Sequence, residues 1–159
     1  MLTRRTMLLA GPVMLVACAN SSKVSNYTKT IQKLALSYSG GSVSGVAALK
    51  LREVNFSQFD VLIFQNLRLK APDKLILDAY SKESASHELK LRPTSVLDGG
   101  GNISLFFQLE LIDLATKTEV WRFSDHVTVG KIFVGPFDQS KADVIAQSIL
   151  AGLARDKLL

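Results

Sequence analysis

One cysteine, two histidines and a few closely spaced carboxylates hold most of the reactive side-chain chemistry open to this chain of 159 residues. Cys18 cannot form an internal disulfide or supply a Cys-rich zinc site by itself. As a thiolate it is a soft nucleophile able to accept a transferred group. Buried, it would act as a small hydrophobe. His87 and His126 are too few for a metal centre, and no short spacing of His, Asp and Glu completes one. His126 stands beside Asp125 on a face that alternation turns outward. His87 shares parity with Leu89 and Leu91, so both histidines read as solvated or structural. Glu110 and Asp113 lie three residues apart on an expected strand and would point to opposite sides, a poor acid–base pair. No Gly-x-Ser-x-Gly elbow is present. Ser39-Gly40-Gly41-Ser42-Val43-Ser44-Gly45 lacks the Gly-Lys-Ser/Thr ending of a phosphate loop and reads as a flexible turn. No catalytic residue, metal ligand or cofactor is therefore predicted. Enzyme is not the leading class, and a metal assay is the cheap check on it.

Cys18 gains meaning from what precedes it. Thr3-Arg4-Arg5-Thr6 is positively charged, Met7 to Ala17 is an eleven-residue apolar stretch, and no acidic residue occurs before Glu53. This is the three-part layout of an export signal. As a helix, eleven residues would reach ~16 Å against a hydrocarbon core of ~30 Å, too short to span. Gly11-Pro12 would also break a buried helix. The competing reading is an N-terminal core helix of the folded domain.

Leu15-Val16-Ala17-Cys18 resembles the lipobox of bacterial lipoproteins. The resemblance implies that the thiol of Cys18 receives diacylglycerol, that the chain is cut between Ala17 and Cys18, and that the new amine is acylated with a palmitate-type chain. Thr3-Arg4-Arg5-Thr6-Met7-Leu8 also resembles a twin-arginine export motif, although an ordinary positive leader reads the same way. Ala19, where an aspartate would tend to retain such a protein in the inner membrane, implies the outer membrane facing the periplasm. Removal of residues 1–17 leaves 17 Lys+Arg against 14 Asp+Glu, a net charge of +3. That is an ordinary solubility charge and argues against a nucleic-acid partner.

The expected organisation is a cleaved signal over 1–17, a lipidated cysteine and flexible tether over 18–26, and a single α/β domain over 27–159. Ala19 to Asn26 is polar and aperiodic, the basis for the tether, with Val24 and Tyr27 as an alternative strand start. Thr30–Tyr38 reads as a first strand and residues 43–54 as a short amphipathic helix. Asp60–Phe64 reads as a strand buried on both faces. Ala71-Pro72-Asp73 reads as a turn, and Lys74–Tyr80 as a further strand.

Alternation is clearest after residue 86. His87, Leu89 and Leu91 share a face; Ile103, Leu105, Phe107, Leu109 and Leu111 share another; Trp121, Phe123, Val127 and Val129 follow. With turns at Asp98–Asn102 and Asp113–Thr118, this predicts an antiparallel meander with one apolar face to be covered. Ala142, Ile145, Ala146, Ile149, Leu150, Leu153 and Ala154 make a helical stripe suited to that cover. The stripe is also compatible with a membrane surface, though its polar side is not markedly basic. Ser140 to Asp143 has capping-box spacing. The fold class is thus α/β of the α+β kind: a mostly antiparallel sheet, a short helix in the first half and an amphipathic C-terminal helix on one face. Ile132-Phe133-Val134-Gly135-Pro136-Phe137 reads as a loop packed on the sheet or as an exposed partner surface.

Leu109-Glu110-Leu111-Ile112-Asp113-Leu114-Ala115-Thr116-Lys117, resuming at Glu119-Val120-Trp121, is similar to a hairpin of small periplasmic lipoproteins and of the TolB amino-terminal domain. Curli-secretion-type lipoproteins share a related domain. Lys117 stands where that hairpin has a turn glycine. The resemblance implies a scaffolding role in an envelope complex, through contacts with envelope proteins, and supplies no further site residue. The alternative expectation is a periplasmic ligand-binding module carrying a lipid or other apolar small molecule between sheet and helices.

Overall fold

A computed structural model describes residues 20–39, 58–76, 81–130 and 135–159. Its elements are β1 (Asn20–Lys23), β2 (Leu34–Tyr38), α1 (Phe59–Lys70), β3 (His87–Asp98), β4 (Asn102–Asp113), β5 (Thr118–Gly130) and α2 (Gln139–Arg155). The strands form one sheet in the order β1-β5-β4-β3-β2. β2 and β3 pair in parallel, and β1–β5, β5–β4 and β4–β3 are antiparallel. The expected α+β class holds.

The meander forms because its apolar residues recur every second position. In β4, Ile103, Leu105, Phe107, Leu109 and Leu111 are buried, and the residues between them are less so. β3 and β5 present Leu89, Leu91, Trp121 and Phe123 in register with them. Ile63, Phe64 and Leu67 of α1 and Ala142, Ile145, Ala146, Ile149 and Leu153 of α2 complete one continuous core. The Phe59 ring lies 5.2 Å from Phe107 and 5.0 Å from Phe137, centroid to centroid, bridging helix, sheet and the approach to α2. Each such buried aromatic or leucine contributes ~1.5–3 kcal/mol relative to exposure.

Several expectations are corrected. Asp60–Phe64 is not a strand but the start of α1. The buried residues Phe59, Ile63, Phe64 and Leu67 follow helical spacing, while Val61 and Leu69 are exposed. A short continuous apolar run does not distinguish the two states, and the decisive period lies in its continuation to Lys70. The strand expected over Thr30–Tyr38 is β2, and it begins at Leu34. Of the strand expected over 74–80, Ile76 makes one parallel bridge to Leu34, and residues 77–80 lie outside the described residues. The tether over 18–26 is overturned for Asn20–Lys23, which pair with β5. α2 is capped by Asp138, whose side chain accepts from the Lys141 N–H, rather than from Ser140. Ala154 of its stripe is exposed. The helix expected over 43–54 and residues 132–134 of the apolar stretch lie outside the described residues, and Phe137 is buried.

Candidate functional site

Ala17 and Cys18, the residues to which processing chemistry was assigned, lie outside the described residues. What the structure shows is the attachment of the chain that follows them. β1 contains no large apolar side chain, so backbone pairing and polar side chains hold it. Ser21 Oγ donates to Asp156 Oδ2 at 2.8 Å, and Trp121 Nε1 donates to the same oxygen at 2.7 Å. Lys23 Nζ donates to the Asp156 carbonyl at 2.8 Å, and Arg155 bonds both Ser21 Oγ and the Asp156 carboxylate. Burial would raise the Asp156 carboxyl, but the Arg155 guanidinium, the indole N–H and the Ser21 hydroxyl outweigh it and hold its pKa below the usual value. Gly152 permits the close approach: a Cβ there would sit 3.1 Å from Trp121.

α2 ends in the geometry that places Asp156. Leu158 N–H donates to the Leu153 carbonyl and Lys157 N–H to the Ala154 carbonyl, with Lys157 at φ 57°. This is a Schellman closure, and the buried Leu158 supplies its apolar contact.

A second polar cluster gathers where β3 begins and β4 ends. His87 and Asp113 are each only 2% exposed. Tyr27 Oη contacts His87 Nε2 and donates to Asp113 Oδ2 at 3.0 Å. Lys29 Nζ donates to Asp113 Oδ2 at 3.0 Å, and Asp113 Oδ1 accepts the Ala115 and Thr116 N–H groups at 2.9 and 3.3 Å. On the other side of the imidazole, Ser86 Oγ lies 2.8 Å from His87 Nδ1.

Proton counting orders this chain. Tyr27 has one hydroxyl proton and gives it to Asp113, so His87 Nε2 carries a proton and donates to Tyr27. In neutral His87, Nδ1 is then an acceptor, and the single Ser86 hydroxyl proton is shared between it and the Lys33 carbonyl, 3.0 Å from Ser86 Oγ. Burial pushes His87 below its ordinary pKa; the Asp113 charge opposes this and Lys29 reinforces it. Burial and the Asp113 carboxylate raise the Tyr27 phenol, which stays a donor. Burial would raise Asp113, but Lys29, Tyr27 and the two backbone N–H groups lower it to about 2.

A Ser–His–Asp reading fails on geometry. Ser86 Oγ accepts the N–H groups of Gln32 and Lys33, both at 3.1 Å, so both of its lone pairs are engaged. The imidazole, moreover, reaches Asp113 only through Tyr27. A cleft of about 620 Å³ opens beside the cluster, lined in part by Lys29, Gln32, Ser86, His87 and Asp113. Among the described residues no group of three or more His, Cys, Asp or Glu side chains is placed to hold a metal ion.

The remaining sequence candidates do not join either cluster. His126 is exposed, 3.8 Å from Asp125, and stacks on Phe106 with centroids 5.2 Å apart. Glu110 and Asp113 face opposite sides as expected, and Glu110 pairs with Arg92 at 3.1 Å. Sequence reasoning missed Tyr27, Lys29 and Ser86 around His87, and Ser21, Lys23 and Asp156 around Trp121. A signal was available in part: His87 and Asp113 continue the apolar parities of Leu89–Leu91 and Leu109–Leu111. A polar group in a buried stripe requires partners.

No protein-family model and no curated protein sequence matches the chain. Solved structures do. A PelC dodecamer from Paraburkholderia phytofirmans is similar over 85% of this chain and 95% of its own, with 15% identity and a TM-score of 0.52. A point variant of that protein, also a dodecamer, gives 14% identity and 0.51 over 85% and 96%. Lipoprotein GNA1162 from Neisseria meningitidis covers 77% of this chain and 99% of its own at 12% identity, with a TM-score of 0.37. At such identities the likeness to PelC is one of fold.

Proposed function

We propose that the chain is a lipid-anchored subunit of a bacterial cell-envelope assembly, held to the outer membrane through Cys18, working through protein–protein contacts in the periplasm. The observation that carries this is the run Leu15-Val16-Ala17-Cys18 after an eleven-residue apolar leader, immediately ahead of the first strand of the fold. Contacts with further copies of the chain belong to the proposal, because the PelC proteins whose fold it shares are dodecamers. Two or three acyl chains on one residue give stable anchoring where one gives marginal binding. The polar clusters favour this reading over an enzymatic one, since they engage their own hydroxyl and carboxylate atoms internally. The layer between sheet and helices is filled with Leu, Ile and Phe side chains, so an apolar ligand there would have to displace core residues.

The test compares wild type with Cys18→Ser by intact mass and membrane partition, followed by native mass spectrometry in detergent. Expected are loss of residues 1–17, added lipid mass and membrane retention in wild type alone, with a multimer of defined size. A soluble, unmodified, full-length wild type overturns the anchor. A lipidated but strictly monomeric protein without co-purifying partners overturns the assembly role.

A further inference from the structure

We infer that the β1–β5 edge of the sheet is the side that lies on the bilayer in the lipidated protein. The inference rests on the anchor proposed above and adds the orientation of the domain. From Cys18 to Asn20 the chain can span at most ~7 Å, two Cα–Cα steps. Asn20 pairs with Ser124, in the middle of β5, and β1 runs from there towards Trp121, so the Gly130 end lies on the side from which the chain enters β1. β5 runs on for six residues beyond Ser124, ~20 Å of strand. A lipid two residues ahead of Asn20 cannot reach past that end of the sheet while β1 stays paired. The membrane must therefore meet the flank of the sheet rather than its tip.

The attachment is firm enough to transmit this constraint. Ser21 and Lys23 bond to Asp156, and Val24 N–H donates to the Val120 carbonyl at 3.0 Å. Exposed polar side chains stand along this flank: Ser22, Arg122, His126 and Arg155. Arg122 and Arg155 pair with Glu119 and Asp156, and the N–H groups they keep beyond those pairs suit lipid phosphates. The opposite edge, β2, lies four strand spacings away, ~19 Å.

The experiment uses the full lipidated protein, extracted in detergent and reconstituted into phosphatidylcholine vesicles containing brominated lipid. Because Cys18 would be blocked as a thioether, one introduced thiol can be labelled with a fluorophore. His126→Cys and Ser124→Cys report on the β1–β5 flank, and Gln32→Cys, just ahead of β2, on the far side. Two flank positions guard against one variant failing to fold. Bromolipid quenching at least threefold stronger at the flank positions than at residue 32 is expected. An eight-residue Gly/Ser insertion between Ala19 and Asn20 should abolish the difference. Equal or reversed quenching in a protein whose mass shows the lipid overturns the orientation and leaves the anchor standing. A mass without lipid overturns both.

Discussion

Two aspartates, Asp113 and Asp156, perform the same task in different chemical settings. Each fastens part of the N-terminal stretch to the body of the domain: Tyr27 and Lys29 to Asp113, Ser21 and Lys23 to Asp156. Asp113 ends a central strand, is buried, and is linked through Tyr27 to a histidine. Asp156 caps a helix, is partly open to solvent, and meets an indole, a serine and an arginine. Losing Asp113 would strand buried donors inside the fold, whereas losing Asp156 would loosen β1, an edge element with no apolar side chain to hold it. The same residue type is thus an element of global stability in one place and a local latch in the other.

The largest expected effect is at Asp113. Asp113→Ala leaves the Tyr27 hydroxyl and the Ala115 and Thr116 N–H groups without their acceptor, and should cost about 2–3 kcal/mol in urea unfolding. Asp156→Ala should cost less, about 1–2 kcal/mol. It should remove hydrogen-exchange protection from the β1 amides while leaving β3 and β4 protected. Equal losses with protection falling everywhere would erase the distinction between the two aspartates.

Acid should act on the clusters in sequence. His87 has a lowered folded-state pKa, so the unfolded chain binds the proton more readily. Stability therefore falls as the pH drops below about 6.5, until the folded-state value is passed. Asp113, held at about 2, contributes stability that is complete above about pH 4 and lost between about 4 and 2. Urea midpoints measured from pH 8 to 2 should show both limbs, and His87→Gln should flatten only the upper one. A His87→Gln profile matching wild type above pH 5 would remove the histidine from the comparison. The smallest effect concerns the hairpin between the clusters. Lys117 adopts φ 57°, the left-handed backbone a glycine takes without strain. Lys117→Gly should raise stability by less than about 1 kcal/mol, because the freer unfolded chain offsets part of the gain.

The regions that could be read from sequence are those where apolar residues repeat at a regular period. The meander and α2 declare themselves through Leu105, Phe107, Leu109 and Leu111 at period two, and through Ala142, Ile145, Ala146 and Ile149 at helical spacing. α1 misleads because Val61-Leu62-Ile63-Phe64 is apolar on every side, although Val61 faces solvent. β1 leaves no trace because Asn20-Ser21-Ser22-Lys23 is polar throughout and its pairing partners lie about a hundred residues away. The same distance hides both aspartate clusters: nothing local to Tyr27 or Ser21 names Asp113 or Asp156. Lys117 shows that a departure from a hairpin's usual glycine altered the residue and kept the backbone shape.

The remoteness of β1 from β5 also fixes an order of events. β3, β4 and β5 join through short turns and can pair as soon as they emerge, whereas β1 has no edge to join until β5 exists and no Asp156 until α2 has closed. Contacts of such long sequence separation bear the greatest loop-closure cost and form late. The strand at the N-terminal edge of the fold therefore stays unpaired until the last-made part of the chain arrives to put it away.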